Sequence, residues 1–303
     1  MRAGGTPVAG SDVRRPVLAR TRAELTDALE ACRARGGRVG LVATMGALHA
    51  GHVSLVRKAH EVRAVEDAVV VSIFVNPLQF GPEEDLASYP RSLDADLEVC
   101  AAERVDVVFA PGSAEMYPEG EPLVTVEPGP LGEILEGRVR PTHFRGVLTV
   151  VAKLFGSVRP DFAVFGEKDY QQLVLIRQMA VDLAMQVEVM AGETVREIGG
   201  LALSSRNEYL DDDQRALARA LWQALRAGAD AADRGAEDVL AAARGVLAEA
   251  TALELDYLEL TSPALGAPPA SGAARLLVAA RVGPVRLIDN TGIVLGRPAD
   301  QPD

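Results

Sequence analysis

Residues 38–62 read RVGLVATMGALHAGHVSLVRKAHEV: a short apolar run, a turn bearing glycines, and an amphipathic segment. The run predicts a buried strand and VSLVRKAHEV the helix that follows it. Working outward, the same alternation continues on both sides. Upstream, Thr21 and Glu24 form a capping-box signature for the helix TRAELTDALEACRARG, which Gly36 and Gly37 stop. Downstream come AVVVSIFV as strand, SLDADLEVCAAERV as helix and VDVVFAP as strand, then helix FRGVLTVVAKLFGSV, strand DFAVFG, helix YQQLVLIRQMAVDLA and strand QVEVM. Continuous Val- and Ile-rich strands separated by helices imply an α/β fold, a doubly wound, Rossmann-like parallel sheet covered on both faces. Such sheets bind ligands beyond the carboxyl ends of their strands, which directs attention to the loops found there.

After about residue 194 the pattern changes. Asp211 and Gln214 offer a second capping box, opening DDDQRALARALWQALRAGADAADRG, and AEDVLAAARGVLAEA follows as another helix. Strands LELDYLEL, ARLLVAARV and VRLIDNTGIVLG come last, with Gly283 and Pro284 turning between the latter two. The expected organisation is a domain over 1–194, whose residues 1–16 form a loose tail, and a smaller α+β domain over 195–303 that closes over the site.

The chain has 303 residues, 48% of them apolar and 24% charged, the balance of an ordinary globular protein. Its formal net charge of -12 excludes a general nucleic-acid or anionic-membrane surface, because neutralising phosphates needs a basic face. Phosphate chemistry, if present, is local. Cys32 and Cys100 lie in predicted helices, far apart, and read as small buried residues of a reducing compartment. The arginine-bearing N-terminal segment lacks an apolar stretch of signal-peptide length, and no run of about 20 apolar residues occurs, so a cytoplasmic location is expected.

The strongest local signal is Thr44-Met45-Gly46-Ala47-Leu48-His49-Ala50-Gly51-His52, standing between strand and helix. Gly46 and Gly51 permit close backbone approach, and a helix opening here aims free N–H groups at an anion. His49 and His52, three apart, project to one side of the first turn and can donate to oxygens on which negative charge grows. A helix cap or a metal pair are the alternative uses of the same residues, although no third zinc ligand is evident nearby.

The His-Ala-Gly-His segment resembles the HxGH signature of the nucleotidyltransferase superfamily, and Met45 to His52 resembles its longer form in the pantothenate synthetase family. Further segments are similar to the same family in collinear order, from about Arg38 to Asn290. In VSIFVNPLQFGPEEDLASYPR, residues 71–91, Gln79 occupies the place of a pantoate-contacting glutamine, a neutral amide able to donate and accept; Asn76-Pro77 and Gly81-Pro82 also read as turns. In FGEKDYQQ, residues 165–172, the resemblance implies that Gly166, Glu167, Lys168 and Asp169 line the ATP site and that Gln172 is a second pantoate ligand. Lys168 is the cation expected on the phosphates. Leu203-Ser204-Ser205-Arg206-Asn207 resembles the family's Ser-Ser-Arg-Asn loop, a pyrophosphate clamp, with Val195 in the place of an upstream nucleotide-contacting valine. Met45, Gly46, Ala47, Leu48, His49, Ala50, Gly51 and His52 would complete the ATP site. His143, in PTHFRGV, matches a stretch bordering the cleft, whereas His60 reads as a surface helix residue without a partner.

The resemblance implies two steps on one site: attack of pantoate's carboxylate on the α-phosphorus of Mg2+-ATP, then attack of the β-alanine amine on the acyl adenylate. His52, His49, Lys168, Ser204, Ser205 and Arg206 would be the catalytic groups. The metal ligands are left unassigned, and a homodimer is implied. Ala43, the Ile198-Gly199-Gly200 turn and Leu203 depart from the family's usual wording without removing a catalytic group. A cytidylyltransferase or a non-catalytic nucleotide-binding regulator remain the alternatives, disfavoured by Gln79 and Gln172 in the first case and by the intact histidines, Lys168 and Arg206 in the second.

Overall fold

The computed structural model describes residues 15–81, 86 and 92–296. Residues 1–14 of the expected tail, and Pro82 of the expected Gly81-Pro82 turn, lie outside the described residues. The first unit runs β1 (Val17–Ala19), α1 (Arg22–Ala34), β2 (Val39–Thr44), α2 (Ala50–Val62), β3 (Ala68–Ile73), α3 (Leu93–Ala102), β4 (Val107–Phe109), α4 (Ser113–Met116), α5 (Leu135–Val139), α6 (His143–Val158), β5 (Phe162–Gly166), α7 (Tyr170–Asp182) and β6 (Glu188–Gly192). Its strands form a six-stranded parallel sheet in the order β1-β4-β3-β2-β5-β6. The chain winds outward from β2 through β3 and β4, then crosses back to lay β5 against the other side of β2. The order therefore reverses between β2 and β5, where a doubly wound sheet opens a crevice at its carboxyl edge.

Alternation along the strands feeds two cores. Val39, Leu41, Val70, Val107 and Phe109 point into the core shared with α1 and α6, while Val42, Val69, Val71 and Val108 meet Leu55, Val56 and Ala59 of α2 and Cys100 of α3. With both faces covered, each strand reads as an unbroken apolar run. The helix starts follow the expected chemistry: Glu24 N donates to Thr21 Oγ1 at 3.2 Å and Gln214 N to Asp211 Oδ1 at 2.8 Å, each with the reciprocal bond. The edge strand β1 has no counterpart in the sequence reading. Three residues behind a proline are too few to display a period, and pairing with β4 alone makes them a strand.

The second unit adds α8 (Asp212–Asp230), α9 (Ala236–Glu249), β7 (Leu253–Thr261), β8 (Gly272–Val282) and β9 (Val285–Leu295), the strands forming an antiparallel sheet in that order. One face packs under α8 and α9 through Leu221, Leu225, Val239 and Leu276. The other, through Tyr257, Leu277 and Ala279, joins the core of the first unit. β8 is consequently buried on both sides, which is why ARLLVAARV shows no alternation. Among the described residues no helix is long and apolar enough to cross a membrane.

A polar cluster rivets the two units. Glu136 accepts from Arg286 at 2.6 and 2.7 Å and from Tyr257 Oη at 2.8 Å, while Arg286 Nε also donates to Asp256 at 2.6 Å. Asp256 is reached because the β7–β8 register shifts between Leu255 and Tyr257. Glu136 is 6% exposed, so stripping its cation leaves a buried charge. Arg286→Met is expected to lower the unfolding free energy by about 3–5 kcal/mol in chemical denaturation, with Glu136→Gln added to it restoring part of the loss. A loss below about 1 kcal/mol would put the cluster on a par with exposed ion pairs.

Candidate active site

Four strand ends meet at the crevice. Behind β2, Thr44 Oγ1 donates to Ser72 O at 2.8 Å and accepts from Gly46 N at 3.2 Å, turning the chain sharply. Gly46 takes φ 85° and Ala47 φ 50°, both left-handed. His49 is then the N-cap of α2. Its Nδ1 accepts from Gly51 N at 3.1 Å, and His52 Nδ1 accepts from His49 N at 3.3 Å, a capping box made of imidazoles. The rings lie 4.1 Å apart between centroids. A Cβ on Gly51 would stand 2.8 Å from the His49 ring, so only glycine admits this cap.

The cap fixes the proton. A ring nitrogen that accepts a backbone N–H carries no hydrogen, so both neutral rings hold theirs on Nε2. Burial pulls the His49 pKa down, with Lys168 adding to the effect, and burial followed by the His49 charge takes His52 to about 3. Two uncharged Nε2–H donors therefore belong to the crevice at neutral pH.

Two amides of the turn ahead of the helix are engaged internally. Asp96, on the first turn of α3, accepts from Ala47 N at 3.1 Å and Leu48 N at 2.7 Å. This residue, invisible to the sequence reading, is 3% exposed, and burial pushes its carboxyl pKa up against the pull of those amides.

Behind β3, Asn76 caps a short 3-10 turn over Pro77–Gln79. Asn76 Nδ2 donates to Gln79 Oε1 at 3.1 Å and to Gly146 O at 3.1 Å, and Tyr117 Oη donates to Asn76 Oδ1 at 2.8 Å. At the other end of the same amide, Gln79 Nε2 donates to Met45 Sδ at 3.0 Å. One oxygen lone pair and one N–H of the amide stay uncommitted, so Gln79 can still both donate and accept. His143 Nδ1 meets Gln79 O at 3.0 Å.

Behind β5, the turn over Glu167–Asp169 is held from the second unit: Asn290 Nδ2 donates to Glu167 O and Lys168 O, both at 2.9 Å. The Glu167 carboxylate accepts from Arg275 at 3.1 Å, and Arg275 stacks over Tyr170. Among the described residues no carboxylate pairs with Lys168. Of the two glutamines, Gln171 is buried and bonds Leu131 O and Ile134 O, leaving Gln172 on the cleft wall.

Behind β6, Leu203 N donates to Val195 O at 2.9 Å, and Arg196 bridges Ala202, closing a hairpin through Gly199 and Gly200. Arg196 pairs with Asp289 at 2.5 and 2.9 Å and stacks 3.7 Å over Trp222. Ser204 caps a 3-10 turn over Ser205–Tyr209 by accepting from Arg206 N at 3.3 Å, and Asn207 is tied to Glu197 at 2.8 Å.

One cleft thus brings together Met45, His49, Gly51, His52, Gln79, Gly166, Lys168, Asp169, Gln172, Val195, Leu203, Ser204, Ser205 and Arg206. Gly46, Ala47 and Leu48 do not line it, because the turn they make is held against Asp96, nor does Ala50, exposed at the start of α2; Glu167 does not, because its carboxylate turns to Arg275. On the cleft wall the sequence reading missed Arg140, Glu193 and Thr194 and gave Asn76 only as a turn, and behind the wall it missed Asp96. The Asn-Pro pair signalled a cap for a turn, whereas nothing local marks Asp96. His60, expected to lack a partner, meets Glu103 O through Nε2 at 2.8 Å, because α2 runs beside the end of α3.

Comparison with known proteins gives the family and the fold. The family model described as pantoate-beta-alanine ligase matches residues 17–292. The pantothenate synthetase of Nocardioides sp. is 63% identical over 289 residues, 93% of this chain and 86% of the relative. A crystal structure of pantothenate synthetase from Thermus thermophilus superposes with a TM-score of 0.84 at 46% identity, covering 91% of this chain and 98% of the other. The pantoate-beta-alanine ligase of Francisella tularensis, complexed with β-γ ATP and β-alanine, superposes with a TM-score of 0.76 at 34% identity, covering 91% and 97%.

The histidine cap links the site to stability. Between about pH 3 and pH 6.5 the unfolded chain binds a proton at His52 that the folded chain refuses, so protons favour unfolding there. The stabilisation is complete above 6.5 and drains as pH falls toward 3. Its size is roughly 2–4 kcal/mol, below the full 1.36 per pKa unit because the ring keeps an edge on the wet cleft. Unfolding free energies measured from pH 7 to pH 4 are expected to fall less steeply in His52→Asn than in the parent; equal slopes would remove His52 as the source.

Proposed function

The chain belongs to the pantoate–β-alanine ligase family, an ATP-dependent ligase family, and from that premise we propose how its residues carry the reaction: pantoate is adenylated in this cleft and the adenylate is then captured by β-alanine. The observation that carries the assignment is the pair of Nε2–H donors of His49 and His52, fixed and uncharged, at the switch point of the sheet next to Lys168. Negative charge accumulates on the α-phosphate oxygens as the carboxylate attacks. Preoriented donors lower that barrier because they need no reorganisation when the charge appears. Lys168 supplies the full positive charge, on a stem long enough to follow the phosphate. Keeping the histidines neutral has a further benefit: three cations packed together would repel, whereas two dipoles and one cation do not.

Gln79 and Gln172 are assigned to pantoate, with the Gln79 amide donating to an oxygen of the hydroxy acid. Beside them Val147, Val150 and Leu154 of α6 offer an apolar wall for the branched methyl groups of the substrate. Ser204, Ser205 and Arg206 are assigned to the departing pyrophosphate, with Val195 and Leu203 against the nucleotide. No nucleophilic side chain is required, since in-line displacement at phosphorus depends on position and charge.

The residues fit a Mg2+ that travels with the triphosphate. Among the described residues no cluster of three or more His, Cys, Asp or Glu could cage an ion, and Asp169 and Glu193 are the carboxylates on the cleft wall. Mg2+ is typically held by one or two carboxylates together with substrate phosphates, and when bound it offsets phosphate charge. A cytoplasmic location and a homodimer joined mainly through the first unit complete the proposal. Light scattering at micromolar concentration is expected to give twice the chain mass of 32.0 kDa; a value equal to one chain would remove the dimer.

The order of events is open to direct test. With enzyme, Mg2+-ATP and labelled pyrophosphate, pantoate alone should drive label into ATP, and β-alanine should then release AMP and pantothenate in equal amounts. Release of ADP without exchange would replace the adenylate with an acyl phosphate. His52→Ala and Lys168→Ala should each slow exchange by about a hundredfold to a thousandfold while remaining folded. Gln79→Ala should chiefly raise the pantoate KM, because the contact it loses exists in ground and transition state alike.

A further inference from the structure

The histidine turn is held by a residue from a different layer of the fold. Asp96 reaches across from α3 and spends its two carboxylate oxygens on consecutive amides, those of Ala47 and Leu48. Two bonds to neighbouring peptides fix the turn's orientation as well as its position. The next residue in the chain is His49, whose own amide orients His52. One peptide bond therefore separates the carboxylate's grip from the imidazole pair.

The local structure is shaped around this grip. Gly46 is left-handed and leaves room for the carboxylate, since a Cβ there would stand 2.9 Å from Asp96 Oδ2. Ala47 is left-handed too, at φ 50°, a conformation disfavoured for a residue with a side chain. Its amide donates to Asp96 in that conformation. Asp96 itself is 3% exposed, and among the described residues no arginine or lysine pairs with it. What keeps a carboxylate in that place is the two amides, together with the positive end of α3.

We infer that Asp96 is a positioning residue for the adenylation step, holding His49 and His52 against the reacting phosphate through the amides of Ala47 and Leu48. The inference rests on the donor role given to the two histidines above. Asp96→Asn keeps the shape but turns an N–H toward one of the amides, so that one bond is lost and the turn loosens. The effect should fall on the rate of the chemical step and leave pantoate recognition by Gln79 intact.

The test is a double-mutant cycle read by pantoate-dependent pyrophosphate exchange, with thermal melting to verify folding. Asp96→Asn should slow exchange by about tenfold to a hundredfold and change the pantoate KM by less than about twofold. In a His49→Ala, His52→Ala background the same change should cost less than about threefold, because nothing remains to be positioned. Asp96→Glu, one methylene longer, should not restore the rate. Equal losses in both backgrounds would make Asp96 a purely structural residue and overturn the inference. Should the histidine variant itself retain parental exchange, the donor role fails first and the inference with it, a result distinct from the additive one.

Discussion

The pairing of β2 with β5 is the constraint on which the site depends. Gly40, Leu41 and Val42 lie in register with Phe162, Ala163 and Val164, although more than a hundred residues of chain separate the two strands. Because the chain winds away from this pair in opposite directions, no crossover helix covers the gap at their carboxyl ends. The two loops that emerge there, one with His49 and His52 and one with Lys168, are neighbours for that reason alone. Neither motif has an arrangement with chemical meaning until the sheet sets them side by side.

The second unit contributes less by lining the cleft than by restraining its walls. Asn290 holds the Lys168 turn through two backbone carbonyls, Arg275 draws Glu167 aside, and Asp289 fixes the hairpin below Ser204 through Arg196. These contacts come from adjacent strands of one small sheet, which the Glu136–Arg286 cluster anchors to the first unit. The lysine turn and the serine hairpin therefore share a common support, so movement of the small sheet would carry both. The histidine turn has a separate support in α3. The cleft is bounded by two independently braced walls.

Much of this was legible in the sequence because the relevant signals are local. Val-rich runs, capping boxes at Thr21 and Asp211, and a glycine-flanked histidine pair each announce themselves within a few residues. What stayed hidden depends on distance along the chain. Asp96 lies 48 residues from Leu48, and Tyr117 lies 41 from Asn76. Arg286 lies 150 from Glu136. A buried carboxylate on the first turn of α3 looks like any helix-start acid until the fold brings two amides to it. The side-chain directions of Glu167 and Gln171 were hidden for the same reason. Adjacency to a motif says which residues are near a cleft, and only packing says which of them face it.

The hold of Asn290 on the lysine turn bears on how the enzyme comes into being during translation. A ribosome-bound chain that has emerged through α7 possesses β2 and β5 with His49, His52 and Lys168, and could already bury their common core. Its lysine turn would nevertheless have two backbone carbonyls without their partner, since the amide that takes them lies more than a hundred residues further on. The lysine turn is complete only when β9, which carries Asn290, has joined the small sheet beside β8.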